Sequence, residues 1–254
     1  QAFQVFSEVK EFKDIEQVQS KIALIFDYES CWAWEIQPQG KGFDYFELVY
    51  DNYKALRSLG LSVDILPPNQ SDLNGYKVVL MPGLMRVSIE LEDAIESFEG
   101  VLISGPRAGS KTKNMSITSQ LPPIVPGVKA TVASAETLRP NAFISIKGLG
   151  SFKTWMETLI DYDNIIEETE DGRAAVVGHE KNIYIAGWAD QMTLKMIFSR
   201  VCESKDISTT ELEDCVRVRE TLTHRFWFNY SNQECNVGSV CIPPSGVIWE
   251  SIKG

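Results

Sequence analysis

A run of five apolar residues, from Ile22 to Phe26, restricts the fold of this chain more than any other feature. The run is apolar without alternation, which is typical of a strand buried on both faces of a parallel sheet. A helical pattern follows from about Phe43 to Leu59 and ends at Gly60, a residue type favoured just after the last turn of a helix. A buried strand followed by such a helix predicts the start of a βαβ unit.

The same alternation of strands and helices continues to about Asp206. Predicted strands lie at residues 62–66, 77–81, 101–104, 128–132, 174–177 and 182–186, and predicted helices at 88–98 and 191–201. Ser88 is suited to cap the first of these helices, because its hydroxyl can accept from free backbone N–H groups. The stretch 105–126, which contains four prolines, is predicted to be a long loop. The pattern therefore predicts an α/β fold with a doubly wound parallel sheet.

Both ends of the chain differ from this central part. After about Thr209, a small antiparallel β domain is predicted by short strands at 216–219, 225–230, 239–242 and 247–249. At the start, apolar residues recur every third position from Phe3 to Val18 and predict one helix over 2–18. We therefore expect a helix or linker over 1–20, an α/β domain over 21–206 and a small β domain over 207–254.

The first residue is Gln1 and the first methionine is Met81. We interpret the opening helix as one cut from a preceding body against which its apolar stripe packed. The alternative is an ordinary N-terminal helix that lies on the domain that follows.

The charge balance excludes some classes of partner. The 254 residues carry 24 Lys and Arg against 35 Asp and Glu, a formal net charge of −11. Nucleic acids and anionic lipids require clustered basic residues, so we expect neither a nucleic acid nor a membrane as partner. No apolar run approaches the about 20 residues that cross a bilayer. An acidic chain with few cysteines favours the cytoplasm.

The cysteines do not form a recognisable metal motif. There are five of them, Cys31, Cys202, Cys215, Cys235 and Cys241, and no two have the C-x-x-C spacing of zinc or thioredoxin-like sites. In an oxidising compartment, Cys235 and Cys241 could pair across a hairpin. Free thiols in a reducing compartment are the favoured alternative. We expect neither a metal nor a cofactor.

Three stretches resemble catalytic or nucleotide-binding patterns, and each lacks a necessary part. The loop from Gly105 to Thr112 has Ser110 where a phosphate-cradling loop needs its second glycine. Cys31 follows the first strand, but a thiol nucleophile needs a sharp strand-to-helix turn and a nearby histidine. The two histidines, His179 and His224, are predicted to be structural or exposed. The acids between 157 and 171 are typical of a solvated face, with no carboxylate pair singled out for glycoside hydrolysis.

The most unusual patch lies at the carboxyl end of the first strand. It contains two acids and three aromatic residues, Asp27, Tyr28, Glu29, Trp32 and Trp34. Ligands and partners dock at this edge of open α/β sheets, and Trp and Tyr are enriched in the centres of interfaces. A recognition surface is one interpretation. The other is that the tryptophans cover the edge of the domain's own core.

The same residues carry a resemblance. Segment 22–35, with the block Phe26-Asp27-Tyr28-Glu29-Ser30, is similar to the start of the trimerisation domain of family 42 β-galactosidases, and Cys31 and Trp34 depart mildly from the family's form. The block Leu73-Asn74-Gly75-Tyr76-Lys77 within 72–84 continues the similarity, as do segments 45–64 and 101–109. Segments 225–231 and 242–247 resemble the small β domain that ends these enzymes, and 2–18 resembles the last stretch of their barrel domain.

This resemblance implies a non-catalytic part of an enzyme. The family comprises retaining β-galactosidases with two catalytic glutamates on a TIM barrel, and no residue here matches either glutamate. The implied fold is like that of class I glutamine amidotransferases (flavodoxin-like), without a catalytic triad. The implied role is to hold three identical subunits together and to help wall the cleft of the barrel, which alone would bind the galactoside. Trp32, Trp34 and the loop 105–126 with Arg107 are the predicted contact surface.

A second hypothesis belongs to another class. On the same α/β scaffold, the chain would be an autonomous small-molecule enzyme or a ligand-binding sensor. Its ligand would then lie at the strand ends near Asp27, Glu29 and Gly105.

Overall fold

The fold is built on a seven-stranded sheet, and a computed structural model describes residues 2–12, 18 and 20–252. The strands are β1 (Ile22–Ile25), β2 (Val63–Leu66), β3 (Val78–Met81), β4 (Val101–Ser104), β5 (Thr131–Thr137), β6 (Phe143–Ser145), β7 (Ser151–Ile160), β8 (Ile165–Glu168), β9 (Ala174–Gly178), β10 (Asn182–Ile185), β11 (Gly187–Ala189), β12 (Val216–Glu220), β13 (His224–Asn229), β14 (Cys235–Val237), β15 (Val240–Ile242) and β16 (Val247–Ser251). The helices are α1 (Ala2–Val9), α2 (Tyr28–Ile36), α3 (Tyr45–Ser58), α4 (Ile89–Ser97) and α5 (Gln191–Ser204), and a short 3₁₀ turn covers Lys10–Phe12.

The main sheet has the order β2-β1-β3-β4-β10-β9-β8. Its first five strands are parallel, whereas β9 runs antiparallel to β10, and β8 runs antiparallel to β9. All residues of β1, β3 and β4 are buried, as their continuous apolar runs predict. The prediction of a parallel sheet in an α/β arrangement is confirmed.

Helices cover both faces of this sheet. On one face, Trp34 of α2, Leu56 of α3 and Phe198 of α5 join a core cluster with Leu24. On the other face, α4 packs Leu91 into a second cluster with alternate residues of the same strands. This division follows from the geometry of a strand, whose successive side chains point to opposite faces.

Strands β5, β6, β7 and β11 form a second, antiparallel sheet, in which β7 lies between β11 and β5 and also pairs with β6. The predicted strand 128–132 overlaps only the first residues of β5. The acidic stretch 157–171 is not simply a solvated turn, since it contains the end of β7 and all of β8. The two sheets meet at a β-bridge between Ile146 and Thr169.

The predicted helix over residues 2–18 needs correction. Helix α1 ends at Val9 rather than continuing to Val18, and the 3₁₀ turn follows it; residues 13–17 lie outside the described residues. Helix α2 was not predicted. The other helices agree with the sequence pattern: Ser88 caps α4, and Gly60 follows α3 with a positive φ of 75°. None of the described helices is long and apolar enough to cross a membrane.

The C-terminal residues form a three-stranded antiparallel sheet, β12-β13-β16, and the hairpin β14–β15. The predicted antiparallel β structure is thus confirmed. Its core contains Val216, Trp227 and Ile242. The connection to the rest of the fold lies at the end of α3, where Leu212 N–H donates to the Ser58 carbonyl at 2.7 Å.

Candidate functional site

Asp27 is a helix cap rather than a surface residue. Its carboxylate accepts hydrogen bonds from the backbone N–H of Glu29 (3.1 Å), the N–H of Ser30 (2.9 Å) and the Ser30 hydroxyl (2.7 Å). The Ser30 hydroxyl in turn accepts from Met85 N–H at 3.0 Å. Asp27 is buried, and its own N–H donates to the Tyr45 hydroxyl. Its role is therefore to start α2 and to anchor it against the segment after β3.

Tyr28 and Trp32 are exposed on the outer face of α2, with 67% and 57% of their surfaces accessible. Their ring centroids lie 6.2 Å apart. Phe26 contacts Tyr28 edge to face at 5.0 Å and lies 6.3 Å from Phe46, which stacks on Tyr50 at 6.1 Å. We call these five residues the aromatic strip. It crosses from α2 to α3 and remains largely uncovered within the chain.

Glu29 lies beside the strip and pairs with Arg86 at 3.0 Å. Its side chain is half exposed, so this ion pair contributes at most about 1 kcal/mol. The position nevertheless places one negative and one positive charge at the edge of the aromatic surface. Such polar rims are typical of protein interfaces.

Trp34 does not belong to this surface, contrary to the prediction. It is fully buried and stacks on Phe43, with ring centroids 4.2 Å apart and planes 11° from parallel. In α2, Trp34 is two positions after Trp32, which places the two side chains on different sides of the helix. Trp34 thus covers the domain's own core, as the alternative interpretation expected.

Arg107 lies above this buried tryptophan. Its guanidinium carbon is 5.1 Å from the Trp34 ring centroid, 5.2 Å from that of Phe43 and 5.5 Å from that of Trp155. Three aromatic faces around one cation form a cation–π cage. Burial lowers the pKa of Arg107, and its Nη1 has no hydrogen-bond partner among the described residues.

Glu157 completes this cluster and was missed in the sequence. Its carboxylate accepts from Arg107 N–H (2.9 Å), Trp155 Nε1 (3.2 Å) and the Tyr184 hydroxyl (2.6 Å). Burial raises the pKa of Glu157 and, with the adjacent carboxylate, that of Tyr184. Arg107 itself has a positive φ of 64° on the turn after β4. The Glu157 carboxylate therefore holds a strained turn in place, and nothing in its local sequence distinguishes it from an exposed acid.

Cys31 is not assembled as a nucleophile. Its thiol donates to Glu35 at 3.5 Å, and burial followed by this hydrogen bond raises its pKa to about 11. The two histidines face other groups, His179 beside Asp163 and Asn164 and His224 beside Thr223. A thiol catalyst needs a lowered pKa and an adjacent base. Among the described residues, the hydrogen-bond partner of the Cys31 thiol is Glu35 and neither histidine.

The loop after β4 is also occupied by its own hydrogen bonds. The N–H groups of Gly109, Lys111 and Thr112 donate to the carbonyls of Leu84, Met85 and Ser116 respectively. No helix follows before β5, so the dipole and free N–H groups of a phosphate loop are missing from this described segment. Exposed Ile117 and Leu121 give the loop an apolar outer side.

The pairing of Cys235 with Cys241, the less favoured alternative from the sequence, does not fit the geometry of the hairpin. In the hairpin, Cys235 pairs with Ile242 and is buried, whereas Cys241 is exposed. Cys235 instead lies beside Cys215, with their sulfurs 3.1 Å apart. Glu213 brings a third potential metal ligand within reach of both. Burial raises the pKa of Cys215 to about 11.

Comparison with known proteins agrees with this geometry. Residues 20–208 match the family model of the β-galactosidase trimerisation domain. The chain is 34% identical over 220 residues to a β-galactosidase from Thermus thermophilus and 30% identical over 231 residues to one from Halorubrum lacusprofundi, covering 84% and 79% of this chain. It spans about a third of the length of these relatives, 34% and 33% respectively.

Solved structures give the same result. The β-galactosidase of the psychrophilic Marinomonas ef1 has a TM-score of 0.86 at 30% identity, covering 98% of this chain and 40% of that one. The Halorubrum lacusprofundi enzyme has the same TM-score at 26% identity, covering 96% and 41%. The family match covers most of this chain, and its described function is the assembly of subunits. The chain therefore belongs to the β-galactosidase trimerisation domain family.

Proposed function

We propose that this chain assembles as a homotrimer and is the non-catalytic C-terminal part of a β-galactosidase. The observation that carries this proposal is the aromatic strip, a row of exposed rings that the chain itself leaves uncovered. Single exposed apolar residues are ordinary, but a contiguous aromatic surface with a polar rim is typical of a contact site. Tyr28, Glu29 and Trp32 are the residues of this surface that were singled out in the sequence.

We infer a second contact element in the loop 105–126, whose Ile117 and Leu121 are exposed. The Arg107 cage and Glu157 hold the start of this loop and act as positioning residues. In the whole protein, the loop and the strip would help wall the cleft of a preceding TIM barrel. That barrel would carry the two catalytic glutamates and bind the galactoside.

We also infer a fold like that of class I glutamine amidotransferases. The five parallel strands follow the order 2-1-3-4-5, counted in the order in which they occur along the chain, and helices lie on both faces. This doubly wound, flavodoxin-like order places ligand sites at the carboxyl edge of the sheet. Free thiols and the acidic charge are compatible with a cytoplasmic protein, which we propose as its location.

The alternative of an autonomous enzyme or sensor at these strand ends has less support. The buried Asp27 carboxylate already accepts three hydrogen bonds, and Gly105 is so closely packed that a Cβ there would lie 2.4 Å from the Ile185 carbonyl oxygen. Glu29 is paired with Arg86. The three groups therefore do not converge on an open cavity.

Light scattering after gel filtration tests the assembly. We expect a mass of three times 28.5 kDa for the chain. Combined Tyr28→Ala and Trp32→Ala substitutions should shift the protein towards monomer with an unchanged circular dichroism spectrum, because both side chains are exposed. Central aromatic residues in an interface each contribute about 2 kcal/mol or more.

Phe143→Ala is the matched control, since Phe143 is equally exposed but lies on β6 in the second sheet. It should leave the mass unchanged. A native chain that is monomeric at all concentrations would contradict self-association. A trimer that survives the double substitution would place the contact elsewhere.

A further inference from the structure

A cavity of about 350 Å³ lies between α3 and the C-terminal sheet, away from the aromatic strip's exposed end on α2. Three arginines and three aromatic residues line it, namely Arg57, Arg217, Arg219, Tyr53, Phe228 and Tyr230. The lining contains no acidic side chain, although the chain has 35 acids against 24 basic residues. This concentration of positive charge in an acidic chain is the unexplained feature.

The backbone brings the three arginines together from two elements. Arg217 and Arg219 alternate with the buried Val216 and Val218 on β12, so they share the face of the strand that points away from its core. Arg57 reaches this place from the last turn of α3. The alternation along β12 and the packing of α3 against it thus place all three arginines at the same cavity.

None of the three guanidinium groups is neutralised by a described carboxylate within 4.0 Å. Arg57 is buried and donates to the carbonyls of Leu61 and Val218, the latter at 2.9 Å. One nitrogen of Arg217, Nη1, donates to the carbonyls of Asp214 (2.9 Å) and Val216 (2.6 Å). The guanidinium of Arg219 makes no hydrogen bond to any described residue, so its N–H donors remain available to a ligand, while its backbone pairs with Phe226 in the sheet.

The energetics favour an anion in this cavity. Burial and then repulsion from Arg219 lower the pKa of Arg57 to about 10, and an anion between these guanidinium groups would offset that repulsion. Guanidinium groups bind oxyanions through paired parallel hydrogen bonds. Tyr53 and Tyr230 also line the cavity, and a tyrosine hydroxyl can donate a hydrogen bond to an oxyanion.

We propose that this cavity binds a phosphate group. Up to three positive charges match a phosphate dianion better than a singly charged carboxylate. The cavity is larger than a phosphate ion, and its aromatic walls suit the apolar face of an attached organic group. The ligand is therefore either free phosphate or a small phosphate monoester.

Isothermal titration of the whole chain with inorganic phosphate and with glucose 6-phosphate, at constant ionic strength, tests the site. We expect one site per chain for phosphate and no binding of glucose. Tighter binding of glucose 6-phosphate than of phosphate would identify the monoester as the source, and equal binding would identify free phosphate. Wild-type chain that binds neither phosphate compound overturns the proposal.

Arg219→Gln should weaken phosphate binding about tenfold or more, the usual effect of losing a charge-assisted hydrogen bond. Arg219→Lys keeps the charge but loses the paired geometry and should give an intermediate loss. Arg139→Gln, an exposed arginine outside the cavity, removes the same charge and should bind phosphate as the native chain does. Equal weakening in the Arg139 and Arg219 variants would show a non-specific charge effect and overturn the proposal.

Light scattering in the same buffers separates this site from subunit contacts. We expect phosphate to leave the mass unchanged. If phosphate dissociates the assembly and Arg219→Gln does the same, the cavity holds a carboxylate of a second copy, and the phosphate proposal is wrong. A chain that is monomeric throughout but binds phosphate would contradict the proposed assembly and leave the phosphate site supported.

Discussion

At the scale of single residues, Glu157 shows how tertiary structure gives a structural role to an acid that is ordinary in the sequence. The Tyr184 hydroxyl, the Trp155 indole and the Arg107 N–H all donate to one buried carboxylate. Two of these donors come from segments far from Glu157 in the chain. A window of sequence around residues 157–171 therefore contains no sign that this acid differs from its neighbours.

The pH dependence of stability follows from this burial. Because the folded state raises the pKa of Glu157 above 4.5, it holds the proton more tightly than the unfolded chain does. The resulting stabilisation is complete below pH 4.5 and is lost as the pH rises through the folded-state pKa. Glu157→Gln cannot ionise and should gain stability relative to the native chain as the pH rises to neutrality. Urea unfolding of both proteins below pH 4.5 and at neutral pH measures this difference in the free energy of unfolding.

Glu170→Gln is the control for this prediction, because it removes one exposed acid from the neighbouring segment. Any general effect of net charge should appear in this variant too. A difference between the Glu157→Gln variant and the native chain that stays constant with pH would show that the buried carboxylate does not titrate in this range.

At the scale of elements, the caps of α2 and α3 form a natural pair. Asp27 accepts three hydrogen bonds in a buried setting, whereas Asp44 is exposed and accepts one, from Glu47 N–H at 3.0 Å. Asp27→Ala should lower the free energy of unfolding by about 2 kcal/mol, and Asp44→Ala by about 1 kcal/mol or less. Chemical denaturation followed by circular dichroism measures both. Equal losses would mean that burial of the cap adds nothing.

The elements that the sequence predicts well are those with a simple local signal. Ile22–Ile25 is uniformly apolar and buried, and α4 has both a serine cap and acids in its first turn. Helix α2 lacks such a local signal, because its apolar Tyr28, Trp32 and Ile36 are exposed, while Ser30 and Trp34 are buried. The apolar side chains of α2 lie mainly on its exposed face, so the sequence pattern alone does not predict this helix.

Strand β7 was missed for a different reason. Thr154 has a positive φ of 62°, and the pairing of β7 with β11 shifts register nearby. A bulge interrupts the alternation by which strands are found in sequence. Likewise, Trp32 could be predicted as part of the candidate site, but the burial of Trp34 and the Arg107 cage depend on Phe43 and Trp155, which only folding brings near.

At the scale of the whole molecule, the end of α3 joins the main sheet to the C-terminal β structure. Lys54 and Arg57 lie one turn apart, and both reach across this junction. The Lys54–Asp214 pair is 3.8 Å long and solvent-exposed, whereas Arg57 is buried and donates to Val218. The two residues therefore test surface and buried contributions at the same junction.

Arg57→Met should lower the free energy of unfolding by about 2 kcal/mol, because it leaves two buried carbonyls without donors. Lys54→Met should change it by about 0.5 kcal/mol or less, as exposed ion pairs usually do. Urea unfolding monitored by tryptophan fluorescence compares them. Indistinguishable variants would show that the junction does not depend on the buried guanidinium.

The β-bridge between Ile146 and Thr169 affects whether further strands can add to the main sheet. Lys147 N–H donates to the Glu168 carbonyl, and Glu170 N–H donates to that of Ser145, so the second sheet covers the outer edge of β8. The opposite edge is β2, which has only four residues and includes Asp64. Short, charged edges resist strand addition. One edge of the main sheet is thus covered, and the other edge disfavours strand addition into fibres. We therefore expect copies of this chain to associate through side-chain packing rather than through strand pairing.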